Sequence, residues 1–208
     1  MPAGYVSAVV WMTAVILWWS GWRREMADGI PGSLITLFLI GWGLCVRATI
    51  PASWLGQGAL VHGATAFTLA AAAAIAFRVE GAGRLAACAA GILLASIALF
   101  LDKLAEFVPG LMTMEPIWCT SAILSVVAAI VVRGAGEQFV ALTLGLALSE
   151  TAAAMLGDPA GGPIRFGGFE WTDRWWLTAA SVRALSTAAA WLPRRAEDGR
   201  WKRGEERS

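Results

Sequence analysis

The sequence predicts an all-α fold: a polytopic transmembrane bundle of about seven helices, N-terminus outside and C-terminus cytoplasmic. Composition is the first ground. Of 208 residues, 58% are hydrophobic and 15% charged. Soluble domains average about 45–50% and about 25%. Mean hydropathy is +0.64. The second ground is the segregation of charge. Seven segments of 17 to 23 residues (4–22, 30–46, 55–77, 85–101, 116–132, 139–156 and 175–192) contain two charged residues between them, Glu150 and Arg183. A helix needs roughly 17–25 apolar residues to cross a bilayer core. Three segments only just reach that length, so six or eight crossings also fit. The third ground is pattern. Lipid offers backbone groups no partner, so only helices or closed barrels cross it. Barrel strands alternate apolar and polar residues, and "LAACAAGILLASIALFL" (85–101) does not.

The first segment has no Lys or Arg in its first 22 residues and ends in "WWSGW". It lacks the basic start and the small-residue cleavage site of a signal peptide, so it reads as a retained helix. The turn "RREMADG" (23–29) leads to the second segment, and "RATIPASW" (47–54) to the third. The third contains His62 and the alanine run 70–74, which reads as a close-packing face. After "RVEGAGR" (78–84), the fourth carries Gly91 and Ala95 four residues apart. Asp102, Lys103 and Glu106 are expected at or just beyond its end, in water. The fifth is uncharged. The sixth repeats small residues at Gly145, Ser149 and Ala153, and the seventh at Ala180, Ala184 and Ala188. Small side chains at this spacing let helix backbones approach closely.

Between the last two segments runs "GDPAGGPIRFGGFEWTDR" (157–174), whose glycines and prolines forbid a continuous helix. It is expected to fold back over the mouth of the bundle with its aromatics at the interface. A single transmembrane domain, 1–192, is followed by a charged cytoplasmic tail, 193–208, expected to fray.

Orientation follows from Lys and Arg, which accumulate in cytoplasmic loops. With the N-terminus outside, Arg23, Arg24, Arg78, Arg84, Arg133 and six tail residues lie inside; Arg47, Lys103, Arg165 and Arg174 lie outside. Trp18, Trp19, Trp22 and Trp191 then fall at inner ends, and Trp54, Trp118, Trp171, Trp175 and Trp176 at outer ends. Interfacial anchoring accounts for them.

Few residues in the sequence carry recognisable chemistry. Cys45, Cys88 and Cys119 lie in apolar segments without CxxC spacing, so neither a disulfide framework nor a metal site is expected. A net charge of +1 leaves no basic face for nucleic acid. Neither lysine lies in a span, which excludes a retinal Schiff base. HExxH, GxGD, a GxS nucleophile, Walker A and GxGxxG are absent. No enzyme activity and no cofactor are expected.

The polar groups inside segments are Glu150, Arg183 and His62. Glu150 stands in "GLALSETAAAML" (145–156). On a 1.5 Å rise, Glu150 lies about 9 Å from Leu156, Arg183 about 12 Å from Trp175 and His62 about 10 Å from Leu55. Their depths match, and Glu150 and Arg183 both share faces with small residues. The expectation is a Glu150–Arg183 pair across the sixth and seventh helices, each group sparing the other the cost of stranding in lipid. It serves helix register or, on the other reading, a gate or anion site. His62 is expected as a neutral imidazole bonded to a neighbouring helix.

"GYVSAVVWMTAVILWWSGWRRE" (4–25) followed by "GIPGSLITLFLIGWGLCVR" (29–47) resembles the YphA-like membrane proteins of Gram-positive bacteria. The likeness lies in an aromatic first helix ending in "SGW" plus a basic residue, a short turn, and the apolar layout. It implies a bacterial plasma membrane and carries over no functional residue. Two functions fit: a non-enzymatic accessory or scaffold whose partners are the lipid bilayer and other membrane proteins, or a small transporter or ion pathway using Glu150, Arg183 and His62. Ion pathways show chains of ionisable groups and transporters show broken helices; neither is evident, which favours the first.

Overall fold

A computed structural model describes residues 2–22, 29–52, 58–108, 115–156 and 165–205, with side chains as far as Trp191 and without that of Arg165. Among them are seven α-helices: α1 (Tyr5–Trp19), α2 (Gly32–Cys45), α3 (Gly63–Ala76), α4 (Gly81–Phe107), α5 (Pro116–Val131), α6 (Ala135–Leu156) and α7 (Phe169–Glu205). Each falls on one of the seven apolar segments, so the all-helical reading holds. Among the described residues only α4 and α6 are long and apolar enough to cross a membrane. The helices α1, α2, α3 and α5 are apolar but have 14 to 16 residues, about 21–24 Å at 1.5 Å per residue.

The third segment gives up its start to an unexpected small sheet. Strands β1 (Thr49–Pro51), β2 (Leu60–His62) and β3 (Arg165–Phe166) pair in that order. β1 runs antiparallel to β2, with Ile50 opposite Val61; β3 runs parallel to β2, with Phe166 opposite Val61. Pro51 can sit there because β1 is an edge strand, where its missing N–H breaks no ladder bond. The start of the third segment is therefore corrected. His62 is extended, Gly63 N donates to Ala48 O at 2.8 Å, and helix begins only then. The backbone of Leu60–His62 is paired with β1, so the helix starts only after it; hydropathy alone could not show it. Trp54 and Leu55 lie outside the described residues.

Chain direction alternates from helix to helix. The starts of α1, α3 and α7 and the ends of α2, α4 and α6 meet around the sheet. At the opposite end, Gly136 at the start of α6 faces Ile75 in the last turn of α3 and Val79 just beyond it.

The most extensive helix contact is α4 against α6. A Cβ on Gly145 would lie 2.9 Å from the Leu94 Cβ and 3.0 Å from Gly91 O; one on Gly91 would lie 3.2 Å from Ala141 O. The two backbones touch, as the small-residue spacing predicts. The matching stripe on α7 behaves otherwise. Ala180, Ala184 and Ala188 are exposed, and Trp171, Trp175, Thr178 and Val182 face inward instead. Bulk on that face offers more buried area than alanine does, so the helix turns it to the core.

The core is aromatic. Phe38 stands edge-on to Phe139 at 5.2 Å, Trp42 to Trp176 at 5.3 Å and Trp175 to Trp176 at 5.1 Å. Trp18, Trp171, Trp175 and Trp176 are buried here and not placed at an interface, which corrects the anchor reading for these four. Trp19, Trp22 and Trp118 are exposed at or beside helix ends, where anchors belong, and Trp191 is exposed within α7. α4 runs on to Phe107, so Asp102, Lys103 and Glu106 lie in its last turns. α7 begins six residues before its apolar segment and continues through Pro193 to Glu205, where fraying was expected.

Candidate functional site

Glu150, Arg183 and His62 are not brought together. Glu150, near the end of α6, accepts the Gly167 N–H through Oε1 at 2.9 Å. Arg183 Nη1 instead donates to Gln138 Oε1 at 3.2 Å. Gln138 and Glu150 share α6 twelve residues apart, about 18 Å along the axis. The expected Glu150–Arg183 pair is thus overturned. The cause is the early start of α7: from Phe169, Arg183 lies about 21 Å into the helix, while Glu150 stays about 9 Å from its end. Depths counted from the apolar segment matched; depths counted from the helix do not.

Around Glu150 the geometry is compact. Gly167 has φ of +75°, a left-handed conformation that glycine adopts without strain. A Cβ there would also collide with the Thr65 side chain. Thr65 Oγ1, fully buried at the start of α3, donates to Gly167 O at 2.7 Å. One glycine peptide thus ties α6 to α3 while β3 joins β2. Glu150 Oε2 is buried and has no hydrogen-bond partner among the described residues. Arg174 acts on Glu150 electrostatically but bonds Asp102 at 2.7 Å, both side chains part-exposed. Asp102 is therefore a helix-to-helix partner, where an interfacial group in water was expected. Lys103 and Glu106 pair with each other at 2.7 Å in the exposed last turns of α4.

His62 ends β2 and precedes α3. Its ring stands edge-on to Phe169 at 4.9 Å. Both ring nitrogens are buried and neither makes a hydrogen bond of full geometry among the described residues, but the Val46 carbonyl, just past the end of α2, acts on the ring as a backbone hydrogen-bond partner, in line with the expected imidazole held by a neighbouring helix. Burial holds its pKa below the ordinary histidine value, against the smaller opposite pull of the Val46 carbonyl.

Two buried polar groups escape a reading based on charge inside apolar segments. Asp173 accepts Ser7 N at 2.6 Å and Gly4 N at 2.7 Å. It caps the first turn of α1 from another helix. No side chain of α1's own caps that turn, and its sequence offers no Asp, Asn or Thr there. An uncapped helix start is the signal that could have led to it. Gln138 is 1% exposed. Its Nε2 donates to Val132 O at 2.7 Å and Ser186 Oγ at 2.8 Å, and its Oε1 receives Arg183. It falls one residue before the sixth segment, so a scan of segment interiors passes over it.

The loop 157–174 divides. Residues 157–164 lie outside those described. The rest folds back over the α3 start, as expected, but as strand and helix, with Phe166 against Val61 and Trp171 in the core. Cys45, Cys88 and Cys119 are free thiols, half-buried on three helices. Among the described residues no three His, Cys, Asp or Glu side chains are grouped to hold a metal ion. The arrangement is one of separate polar ties: Glu150 and Asp173 hold backbone amides, Arg183 meets an amide side chain, and Arg174 pairs with Asp102. No family model, curated protein or solved structure matches the chain.

Proposed function

We propose that the chain is a multi-pass protein of the bacterial plasma membrane, N-terminus outside and C-terminus cytoplasmic, and that it acts without catalysis as an accessory or scaffold binding other membrane components. The observation that carries the membrane part is the outward face of the two longest apolar helices. Only 33% of the most apolar stretch of α4 and 39% of that of α6 is buried within the chain. A core helix of a water-soluble protein would bury most of it. Large apolar side chains also face outward on the other helices: Ile16, Leu37, Ile130 and Leu185, with Phe77 at the end of α3. Lipid is the solvent that suits such a surface. Helices shorter than the roughly 30 Å hydrocarbon core are accommodated by local thinning and by flanking anchors; exposed Trp19, Trp22, Trp118 and Trp191 supply the latter. Membership of the YphA-like family belongs to the same proposal and rests on the aromatic first helix and its "SGW" ending.

The accessory reading is supported by the separation of Glu150, Arg183 and His62, since a conduction path needs ionisable groups in series. The unpartnered Glu150 Oε2 is what favours the pathway reading. Fractionation with an alkaline carbonate wash should leave the protein in the membrane pellet. A C-terminal green fluorescent protein fusion should glow, and an alkaline phosphatase fusion should be inactive. Release by carbonate would end the membrane reading. Purified protein in vesicles with an internal pH dye should add no proton leak; a leak abolished by Glu150→Gln would replace the accessory reading with a proton pathway.

A further inference from the structure

We propose that residues 165–168 form a strap across the sheet end of the bundle, latched by Glu150 and Thr65, and that protonation of Glu150 releases it.

Four contacts hold this segment. Arg165 and Phe166 pair with Leu60 and Val61. Gly167 N donates to Glu150 Oε1 at 2.9 Å, and Gly167 O accepts from Thr65 Oγ1 at 2.7 Å. Phe166 lies against the small apolar cluster of Ala52, Ala59 and Val61. Two ladder pairs and one aromatic ring make a short sheet edge, which has little stability alone. The latch therefore decides whether it stays closed. A hydrogen bond to an ionised carboxylate is roughly twice as strong as a neutral one, so adding a proton to Glu150 weakens the Gly167 contact without removing it. Oε2, buried and unpartnered among the described residues, is the atom free to take that proton.

Among the described residues, the charged side chains packed nearest the latch bond elsewhere, and Glu170 in the first turn of α7 is exposed. On α7, Arg174 acts on Glu150 but bonds Asp102 of α4, and Asp173 takes the α1 amides. On α4, Lys103 and Glu106 pair with each other. On the α3 side, His62 faces Phe169. Glu150 is the titratable group whose bond reaches the strap. The inference stands whether or not the protein is an accessory, because it concerns one end of the bundle alone.

The test uses the full chain in detergent with Cys45, Cys88 and Cys119 replaced by Ala and one reporter, Val61→Cys, opposite Phe166. Its labelling by a maleimide is measured from pH 5 to 8 relative to Glu106→Cys, an exposed position at the same end, so that the pH dependence of thiol reactivity cancels. With Glu150 present, the ratio should rise about tenfold as pH falls; this corresponds to about 1.4 kcal/mol, of the order separating charged from neutral hydrogen bonds. Glu150→Gln, which imitates the protonated acid, should be high and flat across pH. Thr65→Val should raise the ratio at every pH yet keep the pH response, and it supplies the reading should the Gln variant fail to fold. A flat profile with Glu150 present overturns the proposal. So does a Gln variant that still responds to pH, which would move the switch to His62, or a Thr65→Val ratio equal to that of the parent.

Discussion

Where α4 meets α6, Gly91 and Gly145 bring two backbones together, and no side-chain hydrogen bond crosses the contact among the described residues. Where α7 meets its neighbours, hydrogen bonds recur along its length. Asp173 takes two α1 amides, Trp175 Nε1 donates to Thr143 Oγ1 at 3.0 Å, Ser125 Oγ lies 3.3 Å from Thr178 O, and Arg183 and Ser186 meet Gln138. Both contacts bury helix against helix. The first gains dispersion from close approach, which any small side chain at the right spacing permits. The second depends on particular donors meeting particular acceptors at one register. Sliding α7 by one residue would orphan several buried groups at once. The apolar pair therefore gives the bundle its seam, and α7 gives it a unique arrangement.

Substitutions should separate the two. The largest loss is expected from Asp173→Ala, because hydrogen bonds to a charged group contribute about 1.5–3 kcal/mol each and two amides of α1 are left uncapped. Hydrogen exchange at Gly4–Ser7 should rise ahead of the rest of the bundle; exchange that rises uniformly would mean Asp173 does not act through α1. Next is Gly145→Leu. Its side chain meets the Gly91 backbone, which cannot yield as a side chain would, and overpacking costs about 1–3 kcal/mol. An unchanged thermal midpoint in detergent would show that the α4–α6 backbones are not in contact.

Acid should distinguish the sides as well. The folded-state pKa of His62 lies below its ordinary 6.5, so the folded state binds fewer protons there than the unfolded chain. Its contribution to stability is complete above pH 6.5 and declines as pH falls below that value. The thermal midpoint of the parent should fall on the acid side, and His62→Phe should remove that share of the fall. The smallest expected effect is the coupling between Glu150→Ala and Arg183→Ala. Groups more than about 7–10 Å apart without shared partners add within about 0.3–0.5 kcal/mol. A double mutant milder than the sum would restore the ion pair that the geometry removes.

Much of this architecture is readable from residue order. Each of the seven helices overlaps one of the seven apolar segments, because apolar length is a property of consecutive residues. Gly91 and Gly145 were visible as contact positions because a four-residue repeat of small side chains needs no knowledge of the partner. The depth of Arg183 was not readable, since it depends on where α7 starts, and that start includes Glu170, Asp173 and Arg174, charged residues that hydropathy assigns to a loop. The α7 alanine stripe shows the same limit: spacing identified a face, but the competing tryptophan face won the core.

By itself, then, the amino-acid order determined that seven helices form near its seven apolar segments, because apolar length follows from local composition, but it determined neither the small sheet nor where α3 and α7 begin. Tertiary structure alone decided the partners of the buried polar groups. Glu150 finds the Gly167 amide seventeen residues away, Asp173 reaches Gly4 and Ser7 across nearly the whole chain, and Arg183 meets Gln138. A carboxylate in an apolar helix must be satisfied, which sequence can state. Which donor satisfies it depends on how far each helix extends and which face it turns inward, and those are set by the packing of all seven together.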